Sequence, residues 1–195
     1  PNNSCCGRLV FVDIKNNKEL YKILENKFLK TYSKEKLIIE SFITGNSYRV
    51  LCYKNHILDI YCRYIPYIIG NGINSINELV KIYNNNRNNI GNISDIKIDY
   101  NFLKKNNLNI DYILEKNKKI HVFNLPKSKL GTKLISININ NIHIDNINMF
   151  KNMYKLFNIN LCGIDIIIPD IKKSYKKQIY SILELNCNVS LTNHY

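Results

Sequence analysis

No Cys-x-x-Cys pair occurs in the 195 residues, and the four histidines are scattered without ligand spacing. That pattern argues against a zinc site. The six cysteines also make a poor disulfide framework. Cys5 and Cys6 are adjacent, and Cys52, Cys62 and Cys162 sit inside apolar, strand-like runs. Buried, reduced thiols in a reducing compartment are the expectation, with the cytoplasm the expected location. No apolar run reaches the length of a membrane span, and the N-terminal residues lack a signal-peptide pattern. Internal repeats are absent. Acidic residues are few: 15 against 28 Lys and Arg, for a net charge of +13. No Lys/Arg cluster with interleaved aromatics marks a nucleic-acid groove. Lys is spread along the whole chain beside abundant Asn and Ile, a composition that suits an A+T-rich genome. The charge would still attract an anionic nucleotide.

What is present is a globular composition, 45% hydrophobic and 22% charged, enough for one substantial core or one domain with a lobe. The strongest chemical signal lies near the C-terminus. Cys162-Gly163-Ile164-Asp165 opens one apolar run, and Glu184-Leu185-Asn186 closes another. Alternate residues of a strand face the same way, so Glu184 and Asn186 point together while Leu185 turns inward. Asp165 on a neighbouring strand can join them. Two carboxylates and an amide suit Mg²⁺, or Mn²⁺, which keeps waters and takes further ligands from nucleotide phosphates. Taken singly, Asp165 is a strand-end acid, Glu184 a surface residue and Arg49 a solvated strand residue. Their arrangement together is what favours a site.

The remaining pattern predicts an α+β fold. Arg8–Ile14 reads as a strand, Asn17–Leu29 as a helix and Leu37–Ile43 as a strand. Ser47–Tyr53 and Ile57–Tyr64 read as a hairpin across Lys54-Asn55-His56. Pro66–Gly72 is a loop, followed by a helix over Asn74–Tyr83 with Ser75 and Glu78 as a capping box. Asn84–Asn92 reads as a polar loop and Phe102–Leu114 as two short helices. Lys119–Phe123 and Leu134–Ile139 read as strands around a mobile Pro126–Lys133 loop. A helix over Ile147–Phe157 and strands over Leu161–Ile168 and Ile179–Leu185 complete the chain.

These segments, in this order, resemble the ATP-grasp ligases, above all the module fused to a glutamate–cysteine ligase in bifunctional glutathione synthetases. Cyanophycin synthetase carries a similar module. The likeness rests on IIESFITGNSYRVL (Ile38–Leu51), YIPYIIGNGINSINELV (Tyr64–Val80), LNIDYILEKNKKI (Leu108–Ile120), CGIDIIIPDI (Cys162–Ile171) and LELNCNVSLTNH (Leu183–His194). It implies a partial ATP-grasp fold of mixed, mostly antiparallel sheets with packed helices. Residues 1–54 would form the central subdomain with the phosphate loop, and 55–195 the C-terminal subdomain with the metal site. The first lobe would lie upstream of Pro1 in the same polypeptide.

The resemblance implies an ATP-dependent carboxylate–amine ligase working through an acyl phosphate, with γ-glutamylcysteine and glycine as the expected acid and amine. ATP and Mg²⁺ would be its cofactors. Ser4, Cys5, Cys6 and Gly7 would lie over the phosphates. Glu40, Ser41 and Phe42 would frame adenine, Ser47 would stand at the ribose, and Arg49 would reach phosphate or the substrate carboxylate. Asp165, Glu184 and Asn186 would hold metal, Glu184 bridging two ions. His194 falls where the family often has a histidine.

The sequence departs from the family at several points. Ser4 and Leu9 stand at small or glycine positions of the phosphate loop, Ser47 at a usually acidic one, and Tyr64 where an arginine precedes the Val-Pro step. Arg63 is adjacent but should face the other way in a regular strand. The substrate loop reads Lys127-Ser128-Lys129 and Gly131-Thr132-Lys133-Leu134. Two alternatives follow: a catalytically degenerate relative that binds nucleotide or serves structurally, and a basic nucleic-acid-binding domain.

Overall fold

The computed structural model describes residues 10–29, 37–88, 94–157, 159–189 and 191. The chain divides into two compact units, Pro1–Ile43 and Thr44–Tyr195. In the first unit, helix α1 spans Asn17–Ile23 and runs on as a wider helical turn over Leu24–Leu29. Asn16 caps α1: its side chain accepts from the Glu19 amide at 2.9 Å, and Glu19 accepts from the Lys15 amide at 3.0 Å. Such reciprocal bonds satisfy amides that a helix start leaves unpaired.

The strands expected over Arg8–Ile14 and Leu37–Ile43 do not form among the described residues. Val10–Ile14 is irregular, with Asp13 at a φ of 58°, in the left-handed region that breaks an extended run. Leu37–Ile43 is irregular as well, and Ile38, Ile39 and Phe42 are exposed. Extended backbone is held by a pairing partner, and no described strand pairs with either segment.

In the second unit, a five-stranded sheet has the order β5-β2-β1-β6-β7. Its strands are β1 (Asn46–Tyr53), β2 (His56–Tyr64), β5 (Lys133–Ser136), β6 (Leu161–Ile168) and β7 (Ser181–Asn186). Every neighbouring pair is antiparallel. The β1–β2 hairpin turns at Lys54 and Asn55, whose φ values of 42° and 67° are those of a tight hairpin turn. The two strands pair across position 54, so the hairpin belongs wholly to the second unit.

Alternation divides the sheet into two faces. Tyr48, Val50, Cys52, Ile60, Cys62, Cys162, Ile164, Ile166 and Ile168 pack with Met149 and Phe150 of a helix over Ile144–Phe157. The opposite face carries Ser47, Arg49, Leu51, Tyr61, Arg63, Gly163 and Asp165. Two bulges disturb the ladder: Leu51 pairs with Asp59 but Cys52 with Ile57, and Asp165 pairs with Glu184 but Ile166 with Ile182. Leu58 and Leu183 are thus the extra residues, and both are exposed.

A second apolar cluster joins Ile68, Ile76, Val80, Leu103, Leu114, Val122 and Phe123. It lies between the short strands β3 (Ile68–Ile69) and β4 (Lys119–Ile120), helix α2 (Ile76–Asn88) and helix α3 (Tyr100–Lys105). The helix over Ile144–Phe157 is α4. The capping box at α2 is present: Ser75 N–H donates to Glu78 at 2.8 Å, and the Glu78 amide donates to Ser75 Oγ at 3.3 Å.

Helix α2 continues five residues beyond Tyr83, into part of the segment read as a loop. Tertiary contacts outweigh the poor helix propensity of the asparagines there. The Asn84 side chain donates to Ile96 O at 3.1 Å and accepts from its amide at 2.9 Å. Buried Arg87 donates to Gly131 O at 2.6 Å. The same contact ties down the Pro126–Lys133 loop, expected to be mobile. Thr132 is buried and donates to Lys127 O at 2.8 Å, and Lys97 N–H donates to Leu130 O at 3.1 Å. After α3, turns and a lone bridge from Ile113 to Ser75 replace the second short helix expected before Leu114.

Candidate metal and phosphate site

The register of the sheet brings Arg49, Asp165 and Glu184 side by side on adjacent strands. Arg49 on β1 stands opposite Asp165 on β6, and Asp165 opposite Glu184 on β7. Asn186 shares the Glu184 face two residues on, and its amide nitrogen donates to Glu184 Oε1 at 2.9 Å. The bulge at Leu183 sets this alignment locally. The three expected metal ligands therefore come together, with Arg49 beside them.

Asp165 is almost completely buried and held by two arginines. Arg49 Nη2 donates to Oδ2 at 3.0 Å, and Arg49 Nε lies 2.6 Å from Oδ1 without hydrogen-bond alignment. Arg63 Nη2 donates to Oδ2 at 3.3 Å and lies 3.0 Å from Oδ1. The Arg63 guanidinium also lies 6.0 Å from the centre of the Tyr61 ring. Burial pushes the Asp165 carboxyl up to about 6, against the pull of the Arg63 charge. A hydrogen bond shared with Glu184 adds to the rise, and the Arg49 charge opposes it. Glu184 is held below the usual range, first by its bond from Asn186 and then by Asp165. The two adjoining carboxylates are thus pushed apart, Asp165 up and Glu184 down.

This donor set fits a divalent cation. Asp165 Oδ1 is buried without a well-aligned hydrogen bond, and the neighbouring Glu184 carboxylate is exposed. Among the described residues no group of three or more His, Cys, Asp and Glu comes together. The candidate site has two carboxylates and an amide, a hard-oxygen set that leaves ligand positions for water or phosphate.

Arg63 is the residue that sequence reasoning missed. Its side chain joins Asp165, while Tyr64 turns away toward Tyr67, ring centres 6.4 Å apart. The bulge at Leu58 shifts the parity of β2 between the hairpin turn and the site, which a regular alternation does not anticipate. Gly163 is the second such residue. A Cβ there would lie 2.4 Å from Arg49 Nη1 and 3.1 Å from its Cδ, so glycine leaves the channel in which the arginine lies.

Ser47 sits on the Arg49 face, two residues away, and is buried. Glu40, Ser41 and Phe42 are exposed in the first unit, outside any strand. Ser4, Cys5, Cys6, Gly7 and His194 lie outside the described residues.

No family model matches the sequence. Similarity to individual proteins is clear nonetheless. The chain is 28% identical over 165 residues to the glutathione biosynthesis bifunctional protein GshAB of Clostridium perfringens, covering 81% of this chain and 21% of that protein. It is 26% identical over 197 residues to the cyanophycin synthetase of Crocosphaera subtropica, covering 96% and 22% respectively. The crystal structure of a bifunctional glutathione synthetase from Pasteurella multocida superposes with a TM-score of 0.60 at 21% identity, over 77% of this chain and 21% of that one. The chain has the ATP-grasp fold. As an ATP-grasp module it spans about a fifth of the length of these relatives. Asp165, Glu184, Asn186 and both arginines lie on one face of the sheet, within a single compact unit.

Proposed function

We propose that this ATP-grasp module belongs to an ATP-dependent ligase that joins a carboxylate to an amine. The observation that carries the reading is the row Arg49–Asp165–Glu184 across three adjacent strands, with Asn186 and Arg63 at its sides. A carboxylate is a poor acyl donor at neutral pH, so amide formation from it needs activation by phosphoryl transfer. The names of the similar proteins, glutathione biosynthesis and cyanophycin synthesis, support this class.

In this reading Asp165, Glu184 and Asn186 hold Mg²⁺. The ion would neutralise phosphate charge as it develops. Arg49 and Arg63 present planar forks of donors suited to phosphate or carboxylate oxygens. Placed beside the acids, they orient the transferring phosphate and offset its charge. Ser47, on the Arg49 face, would stand at the ribose. The first lobe comes from an upstream part of the same polypeptide, and the enzyme works in the cytoplasm. The acid and amine follow the glutathione type, γ-glutamylcysteine and glycine, through an acyl phosphate.

A degenerate, nucleotide-binding relative is the second reading. It is favoured by one observation: Asp165 is already engaged by two arginines. The test is ADP release by the full-length protein with ATP, Mg²⁺, γ-glutamylcysteine and glycine. Release that requires both acid and amine supports the ligase. Nucleotide binding with no turnover across a panel of acids and amines supports the degenerate reading.

A further inference from the structure

Cys52 and Cys162 face each other on adjacent strands, on the side of the sheet opposite Asp165 and Arg49, and Cys187 follows directly on the end of β7. Cys52 of β1 is directly opposite Cys162 of β6. Gly163 of β6 is opposite Asn186, the last residue of β7, so Cys162 and Cys187 are the chain neighbours of a directly paired couple. Leu185, two residues before Cys187, packs against the apolar cluster that includes Cys52 and Cys162. All three are free thiols. Directly opposed residues of antiparallel strands have Cα atoms about 4.5–5.5 Å apart. A disulfide spans roughly 4.4–6.8 Å, so residues next to such a pair, Cys162 and Cys187 here, start near that window.

The three thiols differ in access. Cys52 and Cys162 are buried, whereas Cys187 is exposed. Cys52 and Cys162 share a hydrogen bond, and burial pushes Cys52 up to about 12. Burial raises Cys162 too, but its bond with Cys52 works the other way, favouring its thiolate. A charge on Cys187 is felt at Cys162. The outer thiol is therefore the one a reagent reaches, and the middle thiol is the one placed to resolve it.

We propose that Cys187 is a thiol-modification site and that Cys162 is its resolving partner, the pair closing a disulfide when the protein meets a low-molecular-weight disulfide. The inference goes beyond the ligase reading and stands without it. In the first step the Cys187 thiolate attacks one sulfur of the reagent RSSR, forming Cys187–S–S–R and releasing one RS⁻, which takes up a proton. In the second, Cys162 loses its proton and attacks the Cys187 sulfur, forming the Cys162–Cys187 bond and expelling the second RS⁻. The protein loses two protons and two electrons, and RSSR becomes two RSH. Because Cys187 directly follows Asn186, the bond would clamp the end of the strand that carries Glu184 and Asn186.

The test is incubation of the native protein with hydroxyethyl disulfide at about pH 8, acid quench, capture of free thiols, and peptide mapping, which also separates Cys5 and Cys6. The expected product is a crosslinked peptide pair holding Cys162 and Cys187, returned to free thiols by dithiothreitol. Cys162→Ser should stop at a mixed disulfide on Cys187, with Cys162→Ala as the alternative if serine unfolds the core. Cys187→Ser should leave Cys162 reduced at times when the parent protein is fully crosslinked. A mixed disulfide on Cys187 that persists in the parent protein would overturn the proposal. So would a Cys52–Cys162 bond in its place, or equal oxidation of Cys162 in Cys187→Ser.

Discussion

Arg49 lies across Gly163: a Cβ on that glycine would sit 2.4 Å from Arg49 Nη1, while Nη2 of the same arginine donates to Asp165 at 3.0 Å. The glycine thus serves the arginine rather than a turn. Gly163→Ala should push the guanidinium off Asp165 while leaving the β6 ladder intact. The expected outcome is a folded protein with at least tenfold weaker phosphate or nucleotide binding, checked by circular dichroism and calorimetry together. Unchanged binding would mean that Arg49 reaches its ligand by another route.

Metal binding should depend on pH through Asp165. Its carboxyl lies at about 6, above its ordinary value of 3.8, because burial disfavours the charged form. A raised acid contributes stability that is fully present below 3.8 and lost as pH rises through about 6. Without metal, the folded state should weaken over that window. Metal needs the deprotonated acid, so Mg²⁺ or Mn²⁺ affinity should climb with pH up to about 6 and level off above it. Calorimetry in buffers of different ionisation enthalpy should show proton release on binding below that pH, and Asp165→Asn should abolish it.

Arg87 should prove structural despite its charge. It is buried, and it donates to the backbone carbonyls of Gly131 and Thr132 in the Pro126–Lys133 loop. Arg87→Met removes a charge-assisted bond and leaves the Gly131 carbonyl unpaired, at a cost of about 2 kcal/mol. Denaturant unfolding checks the energy. Hydrogen exchange should rise in residues 126–133 before it rises in the five-stranded sheet.

Phe150 is fully buried against the sheet's inner face. Phe150→Ala should cost about 3–5 kcal/mol through lost burial and a residual cavity. Because that face is opposite Asp165 and Glu184, metal affinity of the protein that remains folded should stay within about twofold.

Much of the sheet was legible because alternation and turn chemistry act locally. The hairpin follows from two alternating runs around Lys54 and Asn55, and β6 and β7 from apolar runs closed by polar residues. The shared face of Glu184 and Asn186 was legible for the same reason, since they are two apart on one strand. Arg63 was not legible, because a single extra residue at Leu58 changes which side chains share a face. The extension of α2 was hidden too, since it depends on bonds from Asn84 and Arg87 to residues far along the chain. The apolar run Leu37–Ile43 shows the converse: strand propensity alone does not make a strand without a partner.

The most direct test of the account is Mg²⁺-dependent ATP binding by the full-length protein, measured by calorimetry beside Glu184→Ala. The account predicts binding that requires the metal and falls at least tenfold in the variant. Equal ATP affinity with and without Mg²⁺, or in the presence and absence of the Glu184 carboxylate, would contradict it.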